Sequence, residues 1–291
     1  MKEYDKYLKL LKEKYPTKQS VYRELINLNA IMNLPKGTEH FMSDLHGEYD
    51  AFYHIINNCS GVIREKVAML YGDELTVYEQ QELCTLIYYP REKLSILMDE
   101  NKVNDEWYRN VLNHLIQIAK LLSSKYTRSK VRKAMPVDFA YIIDELIHAQ
   151  KDEDDNRSVY HRQIMETILS LHNGDEFLVA LTDLIKRLAV DHLHILGDIY
   201  DRGSHADKIL DLLMEHHSVD IQWGNHDILW MGAFCGNPVC MALVVRNNIK
   251  YKTMSILENG YGISLRFLLQ FAVNTLSLIH ISEPTRPEPI S

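Results

Sequence analysis

Cysteine is scarce and scattered in this chain. Cys59, Cys84, Cys235 and Cys240 form no CxxC pair, so neither a disulfide framework nor a cysteine zinc site is indicated, and such thiols are ordinarily buried ones in a reducing compartment. Long apolar runs are missing too. Nothing approaches the ~18 residues that cross a bilayer, and mean hydropathy is −0.24. The opening "MKEYDKYLKLLKEKYP" lacks the apolar stretch of a secretory signal. These absences predict a soluble, cytoplasmic protein with no membrane partner. Positive charge is in deficit, with 32 Lys and Arg against 40 Asp and Glu for a net −8, which disfavours wrapping nucleic acid. An anionic ligand would need local positive charge, and a bound divalent cation supplies it. The one notably basic stretch, "SSKYTRSKVRK" at 123–133, reads as a solvated helix face, with contact to an anionic effector as the alternative.

What is present suits a globular protein: 46% apolar and 25% charged residues in a chain of 291. At roughly 150 residues per domain this predicts two domains, or one with a large insertion. Thr17 is placed to cap a helix whose apolar positions Val21, Leu25, Leu28, Ile31 and Met32 recur at helical spacing, so the helix is expected to bury one face before Pro35 and Gly37 end it. "TEHFMSD", 38–44, reads as a strand delivering Asp44 and His46 to a loop, with a helix starting near Glu48. Residues 60 to about 190 read as helical, with a capping box at Thr76 and Glu79 and a core stripe of Val111, Leu112, Leu115, Ile118, Ala119 and Leu122. "KDEDDNR", 151–157, is expected to be a solvated run between helices, with a metal-binding role as the alternative.

From His192 the pattern changes. "HLHILGD" is a buried-strand run, "HADKILDLLMEHH" a helical crossover and "SVDIQWGN" a further strand, together a βαβ unit with parallel strands. Such sheets bind ligands outside the carboxyl ends of their strands. Three polar clusters fall at that rim: Asp44-x-His46; Asp198, Asp201 and Arg202 within "GDIYDRG"; and Asn225, His226 and Asp227 within "GNHD". An Asp and a His two apart on an extended segment point to one side and can grip one cation. A carboxylate from the neighbouring strand can bridge to a second cation, and an amide oxygen can complete part of its shell. Carboxylate, imidazole and amide oxygen suit Mn²⁺, Fe or Zn²⁺, and flanking glycines let the backbone approach. Taken singly, His46 could be a loop residue, Asp198 a helix cap, Asn225 a turn former and Arg202 a surface partner of Asp201.

The three clusters resemble those of the calcineurin-like metallophosphoesterase superfamily. The wider wording "HFMSDLHGEYDAF", "HILGDIYDRG", "IQWGNHDILWMGA" and "VVRNNIKY" is similar to the class 3 fructose-1,6-bisphosphatases of Firmicutes, from the N-terminus to about Phe271. The insert separating Asp44 from Asp198 belongs to that resemblance and tells against an ordinary Ser/Thr protein phosphatase. The resemblance implies an α/β fold, the N-terminal part of a calcineurin-like core with a large helical insertion: core elements in 1–60, the insertion in 61–190, and the βαβ part in 191–274. It implies hydrolysis of fructose 1,6-bisphosphate to fructose 6-phosphate and phosphate, a step of gluconeogenesis, by a hydroxide that two metal ions activate. Asp44 and His46 would bind the first metal, Asp198 would bridge, and Asn225 would bind the second. Mn²⁺ leads the candidates, with the metal's identity open. His226, held by Asp201, would act as general acid or stabilise the phosphate, and Arg202 would clamp phosphate oxygens.

Full members of that family are longer and supply further histidine ligands downstream, whereas His280 is the only histidine after His226 here. It lies in a proline-rich tail, "LSLIHISEPTRPEPIS", resembling a translated sequencing adapter, so 275–291 is set apart as a non-native tail. On that view the chain as written is expected to show little or no Mn²⁺-dependent phosphatase activity. Another phosphoesterase specificity, for a phosphoprotein or a dinucleoside polyphosphate, and a non-catalytic helical interaction module are the competing functions; self-association is left open.

Overall fold

The computed structural model describes residues 3–149 and 155–276. Residues 151–154 of the acidic run and 277–291 of the tail lie outside the described residues. In chain order the elements are α1 (Glu3–Lys14), α2 (Lys18–Ile31), β1 (Glu39–Met42), α3 (Tyr49–Asn58), α4 (Val62–Tyr71), α5 (Val77–Tyr88), α6 (Pro90–Asp99), α7 (Asp105–Ser123), α8 (Arg128–Ala134), α9 (Ala140–Ile147), α10 (Asp155–Ser170), α11 (Gly174–Ala189), β2 (His192–Ile195), α12 (Ala206–Glu215), β3 (Val219–Ile221), α13 (Asn225–Phe234), α14 (Pro238–Tyr251) and α15 (Arg266–Leu276). They fall into two compact units, one of residues up to 40 and 54–192, the other of residues 41–53 and from 193 onward.

The first unit is helical. Its core is built on α7 and α11, whose Leu112, Leu115, Ile118, Phe177, Leu181 and Leu184 are all fully buried. The 3–4 spacing of these residues puts each set on one stripe, and the stripes meet. Helix starts follow local chemistry: the Thr76 hydroxyl accepts the Glu79 N–H while the Glu79 carboxylate accepts the Thr76 N–H at 2.8 Å, and Asn104 accepts the Trp107 N–H at 2.8 Å.

One expectation fails in this unit. Thr17 caps α2 as foreseen, but the helix buries no face: Val21, Leu25, Leu28, Ile31 and Met32 are 38–82% exposed. An apolar stripe states that a helix could be covered; it does not name the element that covers it, and no described element packs broadly on α2.

The sheet has the order β1-β2-β3, and most of its residues belong to the second unit. β2 and β3 are parallel, with Leu193 opposite Val219 and Ile195 opposite Ile221, as the βαβ reading requires. Leu196 N donates to Met42 O at 2.7 Å and Asp44 N to Gly197 O at 3.2 Å, so pairing rises along both chains and β1 also runs parallel. β2 alternates half-buried His192 and His194 with buried Leu193 and Ile195. The crossover helix α12 buries Ala206, Ile209 and Leu213, a 3–4 pattern that covers one face of a sheet. All three strands therefore end their carboxyl termini on one rim.

Candidate metal centre

The rim loops are stitched together by backbone. Beyond the strands the pairing continues: His46 N donates to Asp198 O and Gly47 N to Ile199 O, each at 2.8 Å. The loop after β1 thus lies along the loop after β2.

Asp44 and His46 were expected on an extended segment. Instead β1 stops at Met42, and both residues have left-handed backbone, φ 55° and 47°. Asp198, Asp201 and Arg202 do too, at 54°, 70° and 71°, so five of the ten non-glycine residues with positive φ among those described gather here. Each such residue costs on the order of 1–2 kcal/mol, and strain of this kind persists where surrounding bonds over-determine it. The result expected of an extended pair is still reached. His46 Nε2 lies 3.5 Å from Asp44 Oδ1, and Asp44, His46 and Asp198 each offer a ligand atom within 4.8 Å of the others. His46 Nδ1 lies 3.3 Å from Tyr200 O. A carbonyl only accepts, so this contact selects the Nδ1–H tautomer and leaves the Nε2 lone pair for a cation. His46 is 9% exposed, whereas the Asp44 side chain is 66% exposed, so the group is open on the Asp44 side. Two carboxylates and one imidazole fit a divalent cation of hard or borderline character.

Asp227 was grouped with the rim but given no role, and it organises the rim. Buried at 5% exposure, its carboxylate accepts four backbone N–H groups: Asp198 N at 2.7 Å and Gly224 N at 2.8 Å on Oδ2, Ile199 N at 2.9 Å and Tyr200 N at 3.2 Å on Oδ1. It ties the loop after β3 to the loop after β2 and holds Asp198 in its unusual backbone. The available signal was its place three residues beyond Gly224 at a helix start, where acidic residues accept backbone N–H groups. Gly224 is required by close approach, since a Cβ there would collide with Asp198 Oδ1.

His226 Nδ1 is in ion-pair contact with Asp201 Oδ2, as expected, and its ring meets that of His46 edge-on at 5.7 Å between centroids. Asp201 is buried, and Asn247 Nδ2 donates to the same Oδ2 at 2.9 Å; nothing in the spacing of "VVRNNIKY" marks Asn247 as part of the rim. His226 N donates to Asp198 Oδ1 at 3.2 Å, joining the two groups. Asn225 opens α13 and is exposed, as is Arg202. Neither is bonded to the cluster, and the surface ion pair between Arg202 and Asp201 does not form. Tyr200 is pinned on a third side: its ring stacks on Trp230 at 4.4 Å and its hydroxyl lies 2.7 Å from that of Tyr261. Burial pushes its pKa above the ordinary phenol range.

A family model described as Firmicute fructose-1,6-bisphosphatase matches residues 6–281. A protein of Clostridium beijerinckii named fructose-1,6-bisphosphatase class 3 1 is 53% identical over 94% of the chain and 43% of the relative. Proteins named fructose-1,6-bisphosphatase class 3 from Listeria monocytogenes serotype 4b and Clostridium acetobutylicum are 55% and 53% identical over 92% of the chain, covering 41% and 40% of those relatives. The chain spans about two fifths of the length of these curated relatives. No solved structure matches.

Proposed function

Because the chain belongs to the Firmicute fructose-1,6-bisphosphatase family, we propose that its rim is a calcineurin-like two-cation centre that hydrolyses fructose 1,6-bisphosphate to fructose 6-phosphate and phosphate. The observation that carries this reading is the convergence of Asp44, His46 and Asp198 within 4.8 Å at the carboxyl ends of parallel strands. Asp44, His46 and Asp198 would hold one cation, with Asp198 shared and the Asn225 amide oxygen serving the second; Mn²⁺ suits this donor set. Bound there, the cations supply an acidified water and neutralise charge on the phosphoryl group.

The remaining work falls to the chain itself. Arg202 offers a planar fork for two phosphate oxygens, and lysine would not reproduce it. The Asp201 carboxylate in contact with His226 Nδ1 would orient the ring so that Nε2 faces the reaction. As the P–O bond to the sugar breaks, the proton on Nε2 would go to the leaving oxygen while water's oxygen bonds to phosphorus and releases a proton to solvent, from which the imidazole recovers its own.

Two measurements test this. Calorimetry should show Mn²⁺ binding that Asp198→Ala removes. In parallel, because the chain as written is expected to show little or no turnover, phosphate release from fructose 1,6-bisphosphate, a dinucleoside polyphosphate and a phosphoserine peptide should be compared in a version extended to the relatives' length. With relatives more than twice as long, the informative quantity is which ester is cleaved and whether cleavage needs Asp198. Preference for either other ester, or sugar-bisphosphate cleavage indifferent to Asp198→Ala, would refute the assignment.

A further inference from the structure

We propose that Asn247 is a positioning residue of the rim: its side-chain amide fixes the Asp201 carboxylate and, through it, the orientation and tautomer of the His226 ring. The consequence for catalysis rests on the reading of His226 as proton donor; the positioning itself does not.

Asp201 cannot be held by its own segment. It lies in a loop with φ 70°, followed by Arg202 at 71°, so no helix or strand fixes its side chain. Its carboxylate is nevertheless almost fully enclosed, at 3% side-chain exposure. One oxygen, Oδ2, takes both the His226 Nδ1 contact and the Asn247 Nδ2–H at 2.9 Å. The Asn247 hydrogen bond and the His226 contact reach one atom from different elements and together locate it in space, which a contact from a rotatable ring alone cannot do. A buried carboxylate oxygen stripped of one donor is also costly, at about 1–3 kcal/mol.

Asn247 is well placed for this. It sits on α14, which packs against α13, the helix that opens with Asn225 and His226. The next residue, Asn248, is 2% exposed. Its amide donates to Val244 O at 2.8 Å and its oxygen accepts from Thr253 Oγ1 at 3.1 Å, anchoring the last turns of α14. The chemistry narrows the residue type as well. Lysine or arginine would also donate to Asp201 but would add a cation that competes with His226 for the carboxylate. Aspartate would set a second carboxylate against the first. A neutral amide supports the charge and leaves it to the imidazole.

The test is the tautomer of His226, read by ¹⁵N–¹H correlation on imidazole-labelled full chain at about pH 9, above the ordinary imidazole range. The unmutated chain should show the Nδ1–H form. Asn247→Leu, equal in size but without a donor, and Asn247→Asp, which opposes Asp201, should each lower the ratio of Nδ1–H to Nε2–H roughly tenfold while the backbone amide spectrum stays folded. A merely space-filling role would leave that ratio alone, and an unchanged ratio in either folded variant overturns the proposal. One Asn247 side-chain amide proton in the unmutated chain should resonate downfield of its free position; if both are at free positions the proposal also falls, whether or not the variants fold. Nε2–H as the main form in the unmutated chain would instead defeat the Asp201–His226 pairing on which the proton-donor reading depends.

Discussion

At the scale of single residues, this rim is controlled by backbone shape more than by side-chain reach. Asp44, His46, Asp198, Asp201 and Arg202 all occupy left-handed backbone, and the four N–H groups gathered by Asp227 hold part of that arrangement. Gly224 makes the sharpest test. An added methyl would meet both Asp198 Oδ1 and the Asp198 backbone N, so the carboxylate and the loop after β2 must both shift. Gly224→Ala is therefore expected to weaken Mn²⁺ binding by about a hundredfold, the scale of losing one well-placed ligand, about 2.7 kcal/mol, and to lower the urea midpoint because backbone is displaced as well; calorimetry and urea unfolding decide it. Asp44, His46 and Asp198, which could hold a metal ion, were legible because strand-end carboxylates and histidines carry an obvious chemistry. Asp227 and Asn247 were not, because they act on other protein atoms, and a sequence does not display which backbone N–H or carboxylate lies within 3 Å.

At the scale of elements, periodicity was a dependable guide where two stripes meet and a poor one where only one exists. The stripes of α7 and α11 close on each other, and Leu115 sits fully buried between them. Leu115→Ala should cost about 2–5 kcal/mol, the lost transfer energy plus the cavity left behind, seen as a lower urea midpoint at unchanged slope. The stripe of α2 has the same spacing and stays exposed. Thr17 shows the same division: a cap bonds to residues three positions away and is written locally, whereas cover for the helix must come from elsewhere. The strands were foreseen with their carboxyl ends together, because β2, α12 and β3 are consecutive and short connections leave few alternatives.

At the scale of the whole molecule, no helix of the described residues is long and apolar enough to cross a membrane. Buried acidic hydrogens give the chain a predictable alkaline weakness. Burial pushes the Cys59 thiol from 9.0 up to about 12 and the Tyr71 hydroxyl from 10.0 up to about 12. Both are held protonated in the folded chain, while the unfolded chain releases these protons near pH 9 and 10. Stability is thus complete below about pH 9 and falls as pH climbs toward 12, with Cys59 alone contributing on the order of 1.4 kcal/mol per pH unit across that window. Denaturant midpoints at about pH 8 and about pH 10.5 should differ accordingly, and Cys59→Ala should flatten the decline between them. Equal midpoints in the unmutated chain would contradict the burial of these groups.

The sequence by itself determined the helical character of the described residues between 60 and 190 and the βαβ segment, and it named Asp44, His46 and Asp198, which the fold gathers within 4.8 Å, since each depends on spacing over a few residues or on the chemistry of one side chain. The tertiary structure alone decided that Asp44 and His46 act from left-handed backbone, that Asp227 holds the rim together, that Asn247 meets Asp201 and that α2 stays uncovered. Those outcomes turn on approach between residues up to about 150 positions apart, and the free energy of such contacts depends on where every intervening element packs.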